Sequence, residues 1–370
     1  MNDKKDTLTI EIKPSFLIIL AVTLLLLVGL IVGLFVVMNR NGDSHLGHGG
    51  TGAPSGGVIP QTTTASSEEV PVGNNGKPLY PTVETRESYN PTTSDSVVDI
   101  SDAITANNAM LVKVTSDGLV STHEKGADAR IYPASITKVM TLIVACERVT
   151  DLSVKLEVTE ELAKFASTSE GSGAGLKVGD KYTVEDLLYL IAYKSDTIAS
   201  MLIAEHIGGS HEAFVALMNQ KAADLRMTGT HFENCTGLHH DNHYTTCRDI
   251  ATMMAYALDN ELAYSCLTSY KGRPMTVGGV NCTFYTTWYS GNPDKGDMLG
   301  FVDNPKLSTV TVIGGKTGYT DEAGFTFVTV AQGKNNTKYI NVMIGKPKGN
   351  GYSDTIFMAD YKKIYNTYAK

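Results

Sequence analysis

The chain has 370 residues, 42 % of them hydrophobic and 19 % charged, with a formal net charge of −8. That is ordinary globular composition with enough apolar residues for a sizeable core. The negative balance leaves no basic footprint, so nucleic acid is not an expected partner.

In chain order the first feature is "FLIILAVTLLLLVGLIVGLFVVM", Phe16 to Met38, which carries no charge. About 20 such residues cross a bilayer core as a helix. A cleaved signal peptide has a shorter apolar region and then small residues at its cleavage site, whereas "NRNGD" follows here. The run is therefore expected to be an uncleaved transmembrane signal anchor, with a cleaved or lipidated signal as the alternative. Lys4, Lys5 and Lys13 precede it, and Arg40 is the only basic residue between it and Lys77. This asymmetry predicts a single-pass protein of the cell membrane, with residues 1–15 cytoplasmic and everything after the span outside.

Residues 39–97 read as a flexible linker. "GHGGTGAPSGG" and "QTTTASSEE" offer almost nothing to bury, so no core can form there. A flexible chain of this length has an end-to-end distance of roughly 40 Å. His45 and His48 lie in it and read as solvated side chains.

Residues 98–370 suit one domain. "NAMLVKVTSDGLVSTHEKG" predicts two strands around an Asp117-Gly118 turn. Ile136, Val139, Met140, Ile143 and Val144 form the apolar stripe of a helix. "TVEDLLYLIAYKSDTIASMLIAEHIGG" predicts two helices with Ser195 between them, the first capped by Thr183 with Asp186 three residues on. A further helix runs through "HEAFVALMNQKAADLRM". "STVTVIGGKTG", "GFTFVTVAQG" and "KYINVMIG" alternate as half-buried strands do, the last two pairing as a hairpin. "SDTIFMADYKKIYNTYAK" reads as a closing amphipathic helix. Strands at both ends with helices between them make the domain α+β. Cys146, Cys235, Cys247, Cys266 and Cys282 are odd in number and widely spaced. They read as small buried thiols, with one bridge possible.

Three stretches carry chemistry. "PASITKVMT" places Ser135 and Lys138 three residues apart at a helix start, and residues so spaced share a face. Burial disfavours a charged lysine, and a neutral one can take a serine's proton to make a nucleophile. The helix dipole and free backbone N–H groups add stabilisation there. On its own the S-x-x-K pattern is common on protein surfaces. "KSDT" adds Ser195-Asp196-Thr197, and "GGKTGYTDEAGF" adds Lys316-Thr317-Gly318 at the end of an apolar strand. A serine nucleophile, a second serine and K-T-G in that order form the signature set of penicillin-recognising acyl-serine enzymes. K-T-G on an edge strand could hold a carboxylate while the strand backbone pairs with an extended substrate.

From about residue 98 to 370 the chain resembles the low-molecular-mass penicillin-binding proteins of the serine-type D-alanyl-D-alanine carboxypeptidase family. "LKVGDKYTVEDLLYLI", "MNQKAADLRM", "FENCTGLHHDNHYTT" and "RDIATMMAYAL" carry the resemblance beside the three motifs. It implies a transpeptidase/β-lactamase-like fold: an antiparallel sheet flanked by helices, with a helical subdomain and the site between sheet and helices. It implies Ser135 as the acylated nucleophile, Lys138 as its base and Ser195 as a proton relay to the leaving D-alanine. Lys316, Thr317 and Thr197 would bind substrate, and the backbone N–H groups of Ser135 and Tyr319 would form the oxyanion hole. No cofactor or metal is implied. The implied partners are peptidoglycan stem peptides ending in D-Ala-D-Ala, and β-lactams as acylating inhibitors. The residues after Lys316 suffice to finish the sheet and the last helix. The extra C-terminal β domain of many relatives is thus expected to be absent, with the N-terminal span as the anchor.

Two positions depart from the family pattern. Thr197 stands where asparagine is usual, which removes a carboxamide contact. Arg226 stands where glycine suits a left-handed helix end, at a cost of about 1 kcal/mol. Three other readings compete. His239, His240, Asp241 and His243 could suggest a zinc peptidase. Ser195-Asp196 is similar to the S-D-N of class A β-lactamases, but no E-x-x-L-N stretch follows, and such a stretch holds the deacylating glutamate. A weakly catalytic wall-sensing domain is the third. Arg248 reads as a structural ion-pair residue.

Overall fold

The computed structural model describes residues 89–370, apart from 116–117, 170, 269–271, 289–305 and 348–350. Residues 16–38 and most of 39–97 lie outside the described residues. Among the described residues no helix is long and apolar enough to cross a membrane.

Strands β1 (Thr92–Asp99), β2 (Asn108–Thr115) and β3 (Gly118–Lys125) come first, then a 3-10 turn (Ala134–Ile136) leading into helix α1 (Thr137–Arg148). Next are β4 (Lys155–Glu157), α2 (Glu160–Thr168), β5 (Lys181–Thr183), α3 (Val184–Lys194), α4 (Thr197–Gly208) and α5 (His211–Asp224). Helices α6 (Cys247–Asp259) and α7 (Glu261–Thr268) precede a small hairpin, β6 (Arg273–Val277) and β7 (Val280–Phe284). The chain ends with β8 (Val310–Thr320), β9 (Gly324–Gly333), β10 (Lys338–Ile344) and α8 (Asp354–Tyr368).

The main sheet has the order β1-β3-β2-β10-β9-β8. All neighbours pair antiparallel except β1, which runs parallel to β3. The implied antiparallel sheet thus gains one parallel edge, built from residues 92–97 that composition alone assigned to the linker. β2 and β3 pair from Thr115 opposite Gly118, the hairpin the sequence predicts.

Side chains alternate across β2. Met110 and Val112 enter one apolar cluster with α1, α3 and α6, whereas Ala109 and Leu111 enter a second with α8. Helices therefore cover both faces. That is why Gly324–Ala331 of β9 and Tyr339–Ile344 of β10 are buried throughout rather than on alternate residues. Helix α1 differs in the same direction. Every residue from Thr137 to Cys146 is buried, so its predicted stripe is one side of a helix enclosed all round. Helix α8 lays Phe357, Met358, Tyr361, Ile364 and Tyr365 on the sheet, as a closing amphipathic helix should.

Local capping follows the sequence. The Asp186 N–H donates to Thr183 Oγ1 at 3.1 Å and the Thr183 hydroxyl donates to Asp186 at 2.7 Å, closing the start of α3. All five cysteines are free; Cys146, Cys235, Cys247 and Cys266 are buried and Cys282 half-buried.

Candidate active site

Ser135 sits in the 3-10 turn that opens α1, reached through Ala134 in the left-handed region at φ 47°. A non-glycine residue there is strained by about 1 kcal/mol or more. The surroundings hold it in place. The Thr326 hydroxyl of β9 donates to Pro133 O at 3.2 Å. Gly237 (φ 80°) approaches so closely that a Cβ on it would lie 2.1 Å from Ala134 O.

Lys138 follows on the first turn of α1, with Nζ 3.4 Å from Ser135 Oγ. It is 1 % exposed and also donates to Thr236 O. Burial lowers its pKa from 10.5 to about 8, against the opposing pull of Cys235 and Asp196. A lysine so placed delivers its neutral form near physiological pH. Thr236 is positioned by Asn234, whose Oδ1 accepts from Thr236 N at 3.1 Å and Gly237 N at 2.7 Å. The sequence motifs assigned no role to Asn234 or Thr236. The signal was an asparagine two residues before T-G, a side-chain-closed turn.

Ser195 ends α3 in the left-handed region (φ 54°) and is 4 % exposed. That conformation lifts its hydroxyl off the helix axis and lets Asp196 start α4 at once. Asp196 Oδ1 accepts from Ala199 N at 2.7 Å and Oδ2 from Ala174 N at 2.6 Å. Desolvation raises its pKa, opposed by those N–H donors and by Lys138. Thr197 N donates to Ser172 O at 2.9 Å. Thr197 Oγ1 is buried and has no hydrogen-bond partner among the described residues. It lies beside Gly171, where a Cβ would come within 2.3 Å of it.

The K-T-G residues lie on β8, at the edge of the sheet. Lys316, fully buried, donates to Ser195 Oγ at 3.0 Å and to Thr317 O at 2.7 Å. A Cβ on Gly318 would sit 2.7 Å from Ser135 N. Only glycine therefore lets β8 pass so close to the Ser135 amide. Two lysines and two serines thus interleave between helices and sheet, Lys138 on Ser135 and Lys316 on Ser195. The Tyr319 side chain is exposed, donates to Asp321 at 3.0 Å and packs on Phe325. The Thr317 hydroxyl meets that of Thr287, a residue no motif contains.

The histidines do not converge. His243 is buried, accepts from Glu233 N at Nδ1 (2.9 Å) and so carries its proton on Nε2, 2.6 Å from Thr137 Oγ1. Burial lowers its pKa to about 3. It braces α1 as a neutral donor. His239 instead lies 3.5 Å from Asp241 and 3.9 Å from Glu322. Arg248 bonds Asp128 at 2.6 Å and Glu124 at 3.1 Å, the structural ion pairing expected of it. Arg226 adopts φ 57°, the left-handed geometry that glycine suits.

Residues 94–348 match the family described as D-alanyl-D-alanine carboxypeptidase. The chain belongs to the D-alanyl-D-alanine carboxypeptidase family. Similar members of that family include DacF of Bacillus subtilis, 32 % identical over 240 residues, covering 65 % of this chain and 57 % of the relative. DacA of Haemophilus influenzae is 28 % identical over 252 residues, 67 % of this chain and 59 % of the relative. The chain thus spans somewhat over half the length of these carboxypeptidases. Two solved structures show the same fold. A Streptomyces DD-transpeptidase superposes with a TM-score of 0.59 at 24 % identity, covering 71 % of this chain and 96 % of that one. A Mycobacterium tuberculosis D-alanyl-D-alanine carboxypeptidase gives 0.58 at 22 % identity, covering 72 % and 92 %.

Proposed function

We propose that this family member is a membrane-anchored serine D-alanyl-D-alanine carboxypeptidase that removes the terminal D-alanine from peptidoglycan stem pentapeptides. The observation that carries the reading is the desolvated Lys138 beside Ser135 at a helix start. Ser135 Oγ attacks the carbonyl of the penultimate D-alanine while Lys138 takes its proton. The backbone N–H groups of Ser135 and Tyr319 receive the developing oxyanion, each fixed donor being worth about 3 kcal/mol in comparable sites. Collapse expels D-alanine, whose amine takes the proton that Lys138 removed from Ser135, relayed through Ser195, so that Lys138 is neutral again. Water, deprotonated by Lys138, then releases the shortened peptide from Ser135.

Lys316 and Thr317 supply the charge and the donor for the substrate's terminal carboxylate. β-Lactams would acylate the same serine. The uncharged run at 16–38 and the lysines before it support a single-pass anchor with a cytoplasmic N-terminus, residues 39–97 serving mainly as tether.

The test incubates the purified chain with a pentapeptide ending in D-Ala-D-Ala and, separately, with a fluorescent penicillin. Release of one D-alanine and stable labelling, both lost in Ser135→Ala, are expected. Labelling without D-alanine release would replace the hydrolase by a wall-sensing domain, and rapid turnover of the label would favour a β-lactamase. Protease added to intact protoplasts should remove the domain; full protection would refute the orientation.

A further inference from the structure

The K-T-G strand is met by a hydroxyl from a segment far away in sequence. Thr287 Oγ1 hydrogen-bonds Thr317 Oγ1 across 30 positions of chain. Its segment is pinned on both sides: Phe284 is buried in the helical cluster and Trp288, 1 % exposed, in the cluster under α8. Thr287 itself is half-buried, as is Thr317. The contact is therefore held by the packing of its neighbours, and neither threonine is fully enclosed.

We propose that Thr287 is a positioning residue for carboxylate recognition, fixing the Thr317 hydroxyl as a donor toward the bound substrate's C-terminus. This rests on the proposed reading of Lys316 and Thr317 as the carboxylate site. A threonine hydroxyl has one proton and two lone pairs. In a hydroxyl pair one partner donates and the other keeps its proton for a third group. Were Thr317 to donate to Thr287, it would present lone pairs to an incoming carboxylate, which only accepts. When Thr287 donates to Thr317, the Thr317 proton is free and turned toward the cleft. Lys316 Nζ, held by its donations to Ser195 Oγ and Thr317 O at 3.0 and 2.7 Å, supplies the positive charge beside that directed hydroxyl donor. Thr287 thereby sharpens selection for a free carboxylate over an ester, whose single-bonded oxygen is a poor acceptor and which carries no charge for Lys316.

The test compares acylation rate constants of the purified full chain with benzylpenicillin and with its methyl ester. Thr287→Val keeps the shape and removes the hydroxyl. It should slow acylation by the free acid about tenfold, the worth of one hydrogen bond to a charged group, and leave the ester rate within about twofold. Thr287→Ser should keep the wild-type ratio of the two rates. Thr287→Ala, which opens space rather than adding strain, should reproduce the loss of selectivity if the valine variant does not fold. Equal slowing of both compounds would make Thr287 a packing residue, and an unchanged ratio would overturn the proposal outright. A wild-type chain that is not acylated at Ser135 would overturn the reading of the site, and this inference with it.

Discussion

With Lys138 as the proposed base, acylation of Ser135 should rise with pH through a single ionisation near pH 8, because the fold desolvates that lysine. Lys138 is 1 % exposed and its pKa is lowered from 10.5 to about 8. At pH 7 about a tenth of such a lysine is neutral, roughly 300 times more than at the ordinary value. The assay is the second-order rate constant for a fluorescent penicillin between pH 6 and 10, which reports the ionisations of the free enzyme. A tenfold fall per unit below the midpoint is expected, and a flat profile would refute the assignment of Lys138 as base. The same shift has a stability consequence of fixed sign. The unfolded chain holds the proton up to about 10.5 and the folded chain only to about 8, so the unfolded state binds more protons in that window. Stability therefore gains with rising pH there, and the cost of burying the charge is fully present below pH 8. It amounts to about 3 kcal/mol at 1.36 kcal/mol per unit. Lys138→Met should lose activity, and its stability relative to wild type should fall by that amount as pH rises from about 8 to 10.5.

Gly318→Ala should reduce penicillin acylation about 100-fold or more, since its Cβ would sit 2.7 Å from Ser135 N and disturb the oxyanion donors; retention of the wild-type rate would show that the strand can give way. Thr197→Val should raise unfolding free energy in urea by about 1 kcal/mol, because the lost hydroxyl is buried without a partner among the described residues. D-alanine release by that variant should fall if the same hydroxyl meets substrate; lower stability would mean that it already has a partner. Arg226→Gly should stabilise by about 1 kcal/mol through relief of the left-handed conformation at φ 57°, read as a shifted denaturant midpoint at unchanged slope.

The features legible in the sequence are those set within one turn or one hairpin. Ser135 and Lys138 share a helix face because they are three residues apart, Thr183 caps α3 because Asp186 follows at the right offset, and the register of β9 on β10 follows from their short connection. Motif order named the second serine and K-T-G, and with them the family. Tertiary structure alone decided what those groups can do. Burial to 1 % exposure lowers the Lys138 pKa to about 8, and Thr236 O, 98 positions away, accepts a hydrogen bond from its Nζ and holds it in place. No local pattern encodes desolvation, since it depends on what packs above a side chain rather than on its neighbours in the chain. For the same reason the alternation of β9 and β10 predicted one wet face, but helices on both sides of the sheet bury it. The pairing of β1 beside β3 and the meeting of Thr287 with Thr317 are likewise contacts between distant segments, set by how the chain returns to the sheet and not by the residues on either side of them.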